Sequence, residues 1–348
     1  MKLSYVFALL LLVGFSACKQ DFDITADYKE IPVVYGLLND QENTHYIRIQ
    51  KGYLIDGNAY NAAGNPDSIY YPDVLSVEIS RLNNNGNVEA VYPLTRVDGN
   101  LIGLPKDPGT FSNAENILYT FNGSLNPDKT YRLDVTNTSN GNKFSAVTTM
   151  VKDFTVVTPF SGQYLNLHTV NPPKAVFYTA QNGGVYDLKI RFPYKEYRTS
   201  DNALLKDTFA DIFVFKSKFV DDILGGNQVV EDINGSLILN TLHNVLTRDD
   251  QNIYRVFNLN KGMTFYYAAG GTDVSKYMAA QLAQGSGLAS NEAVPPYTNV
   301  TGGYGIFSSR HFQQIDSVLL NADGLDTLAC SPLAAGLRFK GSFGQICN

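Results

Sequence analysis

A mainly β protein of two domains is what this sequence predicts, and three observations predict it. The chain of 348 residues is long enough for two domains at roughly 100–200 residues each. It carries 22 Tyr and 20 Phe but no Trp, with Asn and Gly in the gaps between apolar segments. That composition suits short strands joined by turns. Apolar and polar residues also alternate over many short segments, as half-buried antiparallel strands require.

Residues 1–17 stand apart from any fold. Lys2 precedes an unbroken apolar run from Val6 to Val13, and the segment closes on Gly14-Phe15-Ser16-Ala17-Cys18. The run is far too short to span about 30 Å of hydrocarbon, which takes roughly 20 residues of helix. It has the charged, apolar and small-residue parts of a secretory signal. Ending on Ser-Ala-Cys, it resembles a bacterial lipoprotein signal, which implies that Cys18 becomes the acylated first residue. Residues 18–29 then read as a tether. Lys19-Gln20-Asp21-Phe22-Asp23 is similar to the short acidic tags that carry some lipoproteins to the cell surface.

Candidate strands follow at Ile31–Leu38, His45–Lys51, Val74–Leu82, Val88–Leu94, Ile117–Phe121, Thr130–Asn137 and Phe144–Val151. Turn chemistry separates them, with Asn83-Asn84-Asn85-Gly86, Asp98-Gly99 and Asn140-Gly141-Asn142 at the junctions. Seven short strands within residues 30–152 predict a β-sandwich of the immunoglobulin or fibronectin type III kind. Leu125-Asn126-Pro127-Asp128-Lys129-Thr130-Tyr131 resembles the tyrosine corner of such domains, which implies that the Tyr131 hydroxyl bonds back to the turn. The connection from Gly52 to Pro72 is the most eligible binding loop, with Tyr70 and Tyr71 as candidate contacts; a variable insertion on a scaffold edge is the alternative.

Residues 153–174 hold Pro159, Gly162, Pro172 and Pro173 with weak periodicity and read as an interdomain linker. Residues 175–348 predict a second β-rich domain with two helices. Its strands are Ala175–Ala180, Val185–Pro193, Thr208–Lys216, Ile253–Leu259 and Met263–Ala269. A helical period covers Ser236–Leu246, and a second helix runs from Asp273 to Gln284, stopped by Gly285-Ser286-Gly287.

Of the three cysteines, Cys18 is assigned to lipid. Cys330 and Cys347 remain as an even pair, which in an oxidising compartment is a candidate disulfide. Two buried free thiols are the alternative. Closing a loop of ~15 residues is worth about 3 kcal/mol in the chain-entropy model.

Four features carry a family likeness: Cys18, the opening Ile31-Pro32-Val33-Val34-Tyr35-Gly36-Leu37-Leu38, the Tyr131 corner, and Tyr297-Thr298-Asn299 with Gly303-Tyr304-Gly305-Ile306-Phe307. Together they resemble a Bacteroidota outer-membrane lipoprotein family whose domain of unknown function covers nearly the whole mature chain. The resemblance implies an extracytoplasmic lipoprotein of the outer membrane, lipid-anchored; the acidic tag points to the cell surface, with a periplasmic-facing anchor as the alternative. Such proteins are commonly encoded beside TonB-dependent transporters. The likeness supplies no chemistry to carry over.

The residues themselves show no catalytic set. His45, His168, His243 and His311 lie far apart, with no i,i+4 pair for zinc. No Gly-x-Ser-x-Gly elbow is present, and the acidic pairs lack the alternation of a Ca²⁺ loop. Gly303 and Gly305 lack the third glycine of a dinucleotide cradle. A net charge of -6 without basic clusters argues against nucleic acid. Asp67-Ser68-Ile69, Asp316-Ser317-Val318 and Asp326-Thr327-Leu328 resemble short O-glycosylation acceptors. The expectation is a non-enzymatic lipoprotein without a cofactor that binds a transporter, a glycan or a peptide. The alternatives are a surface hydrolase with a loop-assembled site and a structural or adhesive envelope protein.

Overall fold

Eight strands build the first half of the molecule: β1 (Ile31–Leu38), β2 (Thr44–Gly52), β3 (Leu75–Leu82), β4 (Val88–Pro93), β5 (Thr95–Asp98), β6 (Ile117–Asn122), β7 (Thr130–Asn137) and β8 (Lys143–Thr149). The computed structural model describes residues 31–52, 63–285 and 296–347. The signal segment, Cys18 and the tether lie outside the described residues. All seven strands read from alternation are present, and the short β5 is added. One sheet runs β1-β2-β6-β5; the facing sheet runs β8-β7-β3-β4, with the short strand Val300–Thr301 added at its β8 edge. Lettered in chain order, that is the ABED and CFG pairing of an immunoglobulin constant-type sandwich, with one further strand beside C.

Alternation explains why these segments pack this way. Val34, Ile47, Ile49, Ile79, Leu133 and Val135 point between the sheets and are at most 3 % exposed. Each such side chain stabilises the fold by about 1.5–3 kcal/mol relative to exposure. Tyr131 closes the corner as its motif implied. The Asn126 N–H donates to its hydroxyl at 2.7 Å, and the ring is fully buried at the start of β7.

The second half sets short strands around three long ones. β9 (Val156–Thr158), β10 (Tyr164–Leu165) and β11 (Lys174–Tyr178) precede a hairpin of β12 (Gly183–Arg198) and β13 (Leu204–Phe219). Then come β14 (Gln228–Asp232), β15 (Ile253–Phe257), β16 (Met263–Gly271), β17 (Val300–Thr301) and β18 (Tyr304–Leu320). A one-turn helix α1 (Pro66–Ile69) sits in the first half, with α2 (Gly235–Val245), α3 (Thr272–Gly285) and α4 (Ala322–Cys330) in the second. The two helices read from periodicity are α2 and α3. The third, α4, is short and has Gly324 in its first turn, so it carried little helical signal. Asn321 starts it by accepting from the Gly324 N–H at 2.8 Å.

β12 and β13 reach sixteen residues each, well past the segments that alternation marked. Leu188, Ile190, Phe192, Phe265 and Tyr267 of the long sheet face a second core. Ala175 and Phe177 of the small sheet β14-β11-β9, together with Ile238, Leu242 and Leu328 from the helices, cover it.

A single strand joins the two cores. β18 runs parallel to β1, with Val34 opposite Gly305 and Leu38 opposite Ser309. It then runs antiparallel to β16, from Gly270 opposite Arg310 to Met263 opposite Val318. The result is one continuous sheet in the order β13-β12-β16-β18-β1-β2-β6-β5. The first core, expected from residues 30–152, therefore also takes Val300 and Phe307 from the far end of the sequence. Gly305 permits this pairing. Its φ is +98°, and a Cβ there would sit 1.9 Å from the Val34 carbonyl oxygen.

Candidate functional site

The long sheet has one face turned to the cores and one turned outward, and the outward face carries exposed rings interleaved with charges. Its construction follows from the two-residue period of strands. On β12 the core takes Ile190 and Phe192 while Lys189 and Arg191 point out. Cross-strand register then makes rows. Phe213, Lys189, Tyr266 and Gln314 lie opposite one another, and so do Asp211, Arg191 and Thr264.

Within these rows the groups hold one another. Arg191 grips Asp211 with two hydrogen bonds, Nε to Oδ1 at 2.9 Å and Nη2 to Oδ2 at 3.0 Å, and Lys189 adds a third at 3.1 Å. Arg191, with Lys189 behind it, holds the Asp211 carboxyl below the usual carboxylate range. The Arg191 guanidinium also lies 3.7 Å from the ring centre of Phe209, and the Lys189 ammonium lies 4.9 Å from that of Tyr266. Lys216 sits 3.7 Å over Phe213. Phe209, Phe213 and Phe312 are nonetheless exposed. Such cation–ring pairs contribute about 0.5–1 kcal/mol at exposed sites, so their main effect is to hold rings flat and presented.

The face continues onto the first sandwich, where Tyr35, Leu37, Tyr46, Arg48, Ile306 and Arg310 line a shallow open cleft of about 480 Å³. Two arginines are held there by fixed partners. Arg48 Nη2 donates to Asn116 Oδ1 at 2.8 Å, and Arg310 Nη2 lies 3.3 Å from Glu42 Oε1. α3 closes one side of the cleft. Burial, with the hydrogen bond between Tyr35 and Tyr277, pushes the Tyr35 hydroxyl up to about 12. α3 approaches closely because Gly184 and Gly270 leave room. A Cβ on Gly184 would meet Ser275 at 2.8 Å, and one on Gly270 would meet Val185 at 2.9 Å and Val274 at 3.2 Å.

Beside the cleft, the β1–β2 turn clasps β18 at the point where that strand leaves β1. Gln41 Nε2 donates to the Phe312 carbonyl at 2.8 Å, and the Phe312 N–H returns to Gln41 Oε1 at 2.9 Å. This side chain stands in for one more residue of β1. Asp40 Oδ1 lies 2.9 Å from His311 Nδ1, and Asp153 approaches the other ring nitrogen at 3.3 Å. His311 is thus a buried tie between the first sandwich, β18 and the segment 153–174, expected as a linker, which instead carries β9 and β10 and buries Phe154, Leu165 and Leu167 in the second core.

The residues singled out in the sequence fall elsewhere. Residues 53–62 of the candidate binding loop lie outside the described residues; Tyr70 and Tyr71, expected as its contacts, are instead 3 % and 4 % exposed and pack in the first core, where Tyr71 still lines a pocket with Pro32 and Lys143. The Tyr70 hydroxyl is spent on the Glu115 carbonyl at 3.1 Å. The cause is α1, which follows Asn65 as N-cap and turns Ile69-Tyr70-Tyr71 inward. Cys330 and Cys347 stand at disulfide distance, with Cα atoms 4.8 Å apart. Cys18 lies outside the described residues. Tyr297-Thr298-Asn299 and Gly303–Phe307 do structural work. Asn299 exchanges hydrogen bonds with the Phe307 backbone at 2.7 and 3.0 Å, and Thr298 Oγ1 donates to the Gly305 carbonyl at 2.9 Å.

Sequence reasoning missed the outward face. Its residues alternate with core residues as in any strand, and only register brings Phe209, Arg191, Tyr266 and Tyr35 onto one surface. Among the described residues no group of three His, Cys, Asp or Glu could hold a metal ion. A scan against protein-family models finds no match to this chain. Comparison with the curated proteins finds no match either.

Proposed function

We propose that this protein is a non-enzymatic lipoprotein of the outer membrane, acylated at Cys18 and displayed at the cell surface, that docks a partner on the outward face of its long sheet. The observation that carries the proposal is the single sheet running through both halves, with rings and charges exposed on either side of α3. Exposed rings held by arginines and lysines on either side of α3 suit a broad partner better than an enclosed small molecule. Aromatic residues and Arg are the types enriched at the centres of protein interfaces. The family resemblance carried by the Cys18 signal and by the Gly303–Phe307 segment favours a TonB-dependent transporter as that partner. A surface glycan or peptide is the ligand the pair would then handle.

The test is co-purification from native envelopes. Wild type is expected to bring down an outer-membrane transporter, and Phe209→Ser with Phe213→Ser is expected to lose it while unfolding at an unchanged temperature. Recovery of no membrane partner, together with blank glycan and peptide arrays, would overturn the proposal.

A further inference from the structure

The connection between β5 and β6 is built inside out. Leu101 is 84 % exposed, Phe111 52 %, Ile102 47 % and Leu104 39 %. Three of its polar side chains, Asn100, Lys106 and Asn116, meanwhile bond back into the loop. Asn116 Nδ2 donates to the Leu104 carbonyl at 2.7 Å, and Asn100 Oδ1 accepts from the Lys106 N–H at 3.1 Å. Lys106 Nζ reaches the Ser112 carbonyl at 2.8 Å, and the Ser112 N–H donates to the Ala63 carbonyl at 2.8 Å. A surface loop normally shows water its polar groups. Here a hydrogen-bonded frame holds four apolar side chains outward, and an exposed apolar cluster of this kind marks a contact surface.

Its position says what it contacts. β5 ends and β6 begins where β1 begins and β2 ends, since Asp98 lies opposite Ile117 and Ile31 opposite Gly52. The chain therefore enters the fold at the same end that carries the apolar loop. Thirteen residue steps separate Cys18 from Ile31, a reach of at most about 45 Å. β18, seventeen residues long, leads away from this end for about 55 Å at ~3.3 Å per residue.

We propose that this loop rests in the lipid surface, with Leu101, Ile102, Leu104 and Phe111 in the interfacial layer. The molecule then stands with the β12–β13 hairpin pointing away from the bilayer and the outward sheet face upright beside it. The proposal rests on the lipid anchoring of Cys18 proposed above and adds the orientation. Because the contact is apolar, it is insensitive to salt and forms on neutral phosphatidylcholine vesicles.

The absence of Trp from the chain allows a single-probe test on the full, acylated protein. Phe111→Trp reports on the loop, and Leu204→Trp, at an exposed position at the far hairpin, serves as the control. On vesicles, Phe111→Trp is expected to shift its emission to the blue and to lose at least half its intensity to lipids brominated near the top of the acyl chain. Leu204→Trp is expected to do neither. If both probes stay water-like while the protein remains vesicle-bound, the loop contact is wrong and the anchor stands. Quenching of both probes equally overturns the orientation. If mass analysis finds Cys18 without acyl chains and the protein free of vesicles, the lipoprotein reading and this proposal fall together.

Discussion

The two sandwiches of this protein use the same tyrosine device on different scales, and the comparison shows what each half depends on. In the first, the Asn126 N–H donates to the Tyr131 hydroxyl at 2.7 Å. In the second, the Ala180 N–H donates to the Tyr186 hydroxyl at 2.7 Å, and burial pushes that hydroxyl up to about 12. Both rings are buried near the start of a strand that crosses a core. The first half surrounds its corner with strands of four to nine residues, each adjacent to turn signals. The second uses strands of sixteen and seventeen residues, helices and a terminal cysteine pair. The compact half nevertheless borrows Phe307 and Val300 from the extended half. The first sandwich is local in pattern and non-local in completion.

The largest expected effect comes from cutting that loan. Phe307 is fully buried in the first core, so Phe307→Ala should cost about 3–5 kcal/mol. The loss should register in hydrogen exchange of β3 and β7, on the far side of that core, before it registers in β12. Exchange accelerated only in the second half would break the comparison.

Next in size is the terminal pair, which should act on the second half alone. Cys330 and Cys347 close a loop of seventeen residues, worth about 3 kcal/mol in the chain-entropy model. Cys330→Ser with Cys347→Ser should lower the denaturation midpoint of the second core and leave the protection of β7 unchanged.

The two tyrosines should then match. Tyr186→Phe removes the bond from the Ala180 N–H, and Tyr131→Phe removes the bond from the Asn126 N–H with a longer one to the Asn126 carbonyl at 3.4 Å; each should cost about 1 kcal/mol in urea unfolding. The sites lie in separate cores, so the double variant should give the sum of the two. A cost confined to one of them would show that the corners are alike only in geometry.

The smallest effect is a pH slope in the first half. Burial drives the His45 imidazole below its ordinary 6.5, opposed in part by the hydrogen bond to the Gly123 carbonyl. A depressed folded pKa means that the unfolded chain binds the proton first. The contribution is therefore complete above pH 6.5 and is lost as pH falls from there through the folded value. Urea midpoints at pH 7.5 and 5.5 should separate more for wild type than for His45→Gln.

Legibility tracked the range of the interactions. Alternation in Tyr46-Ile47-Arg48-Ile49 and Tyr131-Arg132-Leu133-Asp134-Val135 gave β2 and β7 within a residue, because one buried face is enough to set that pattern. The motif around Asn126 and Tyr131 was equally readable, since donor and acceptor lie five residues apart. The candidate face was not readable. Arg191 and Tyr266, or Tyr35 and Arg48, meet through pairings that no spacing announces. Tyr70 and Tyr71 misled for the same reason. Aromatic residues in a long connection look available until a one-turn helix at Pro66 rotates them into the core.

Local pattern by itself determined the mainly β class, the seven strands of the first sandwich, helices α2 and α3, and the candidacy of Cys330 and Cys347 as a pair. Each depends on neighbours within a strand, a turn or a short loop. The tertiary structure alone decided that β18 would serve two cores and that Gly305 is required where it lies against Val34. It also decided that rings from β1, β13, β16 and β18 would share one outward face. The physical reason is that a strand offers two edges and two faces, and its own residues do not choose which partner takes them.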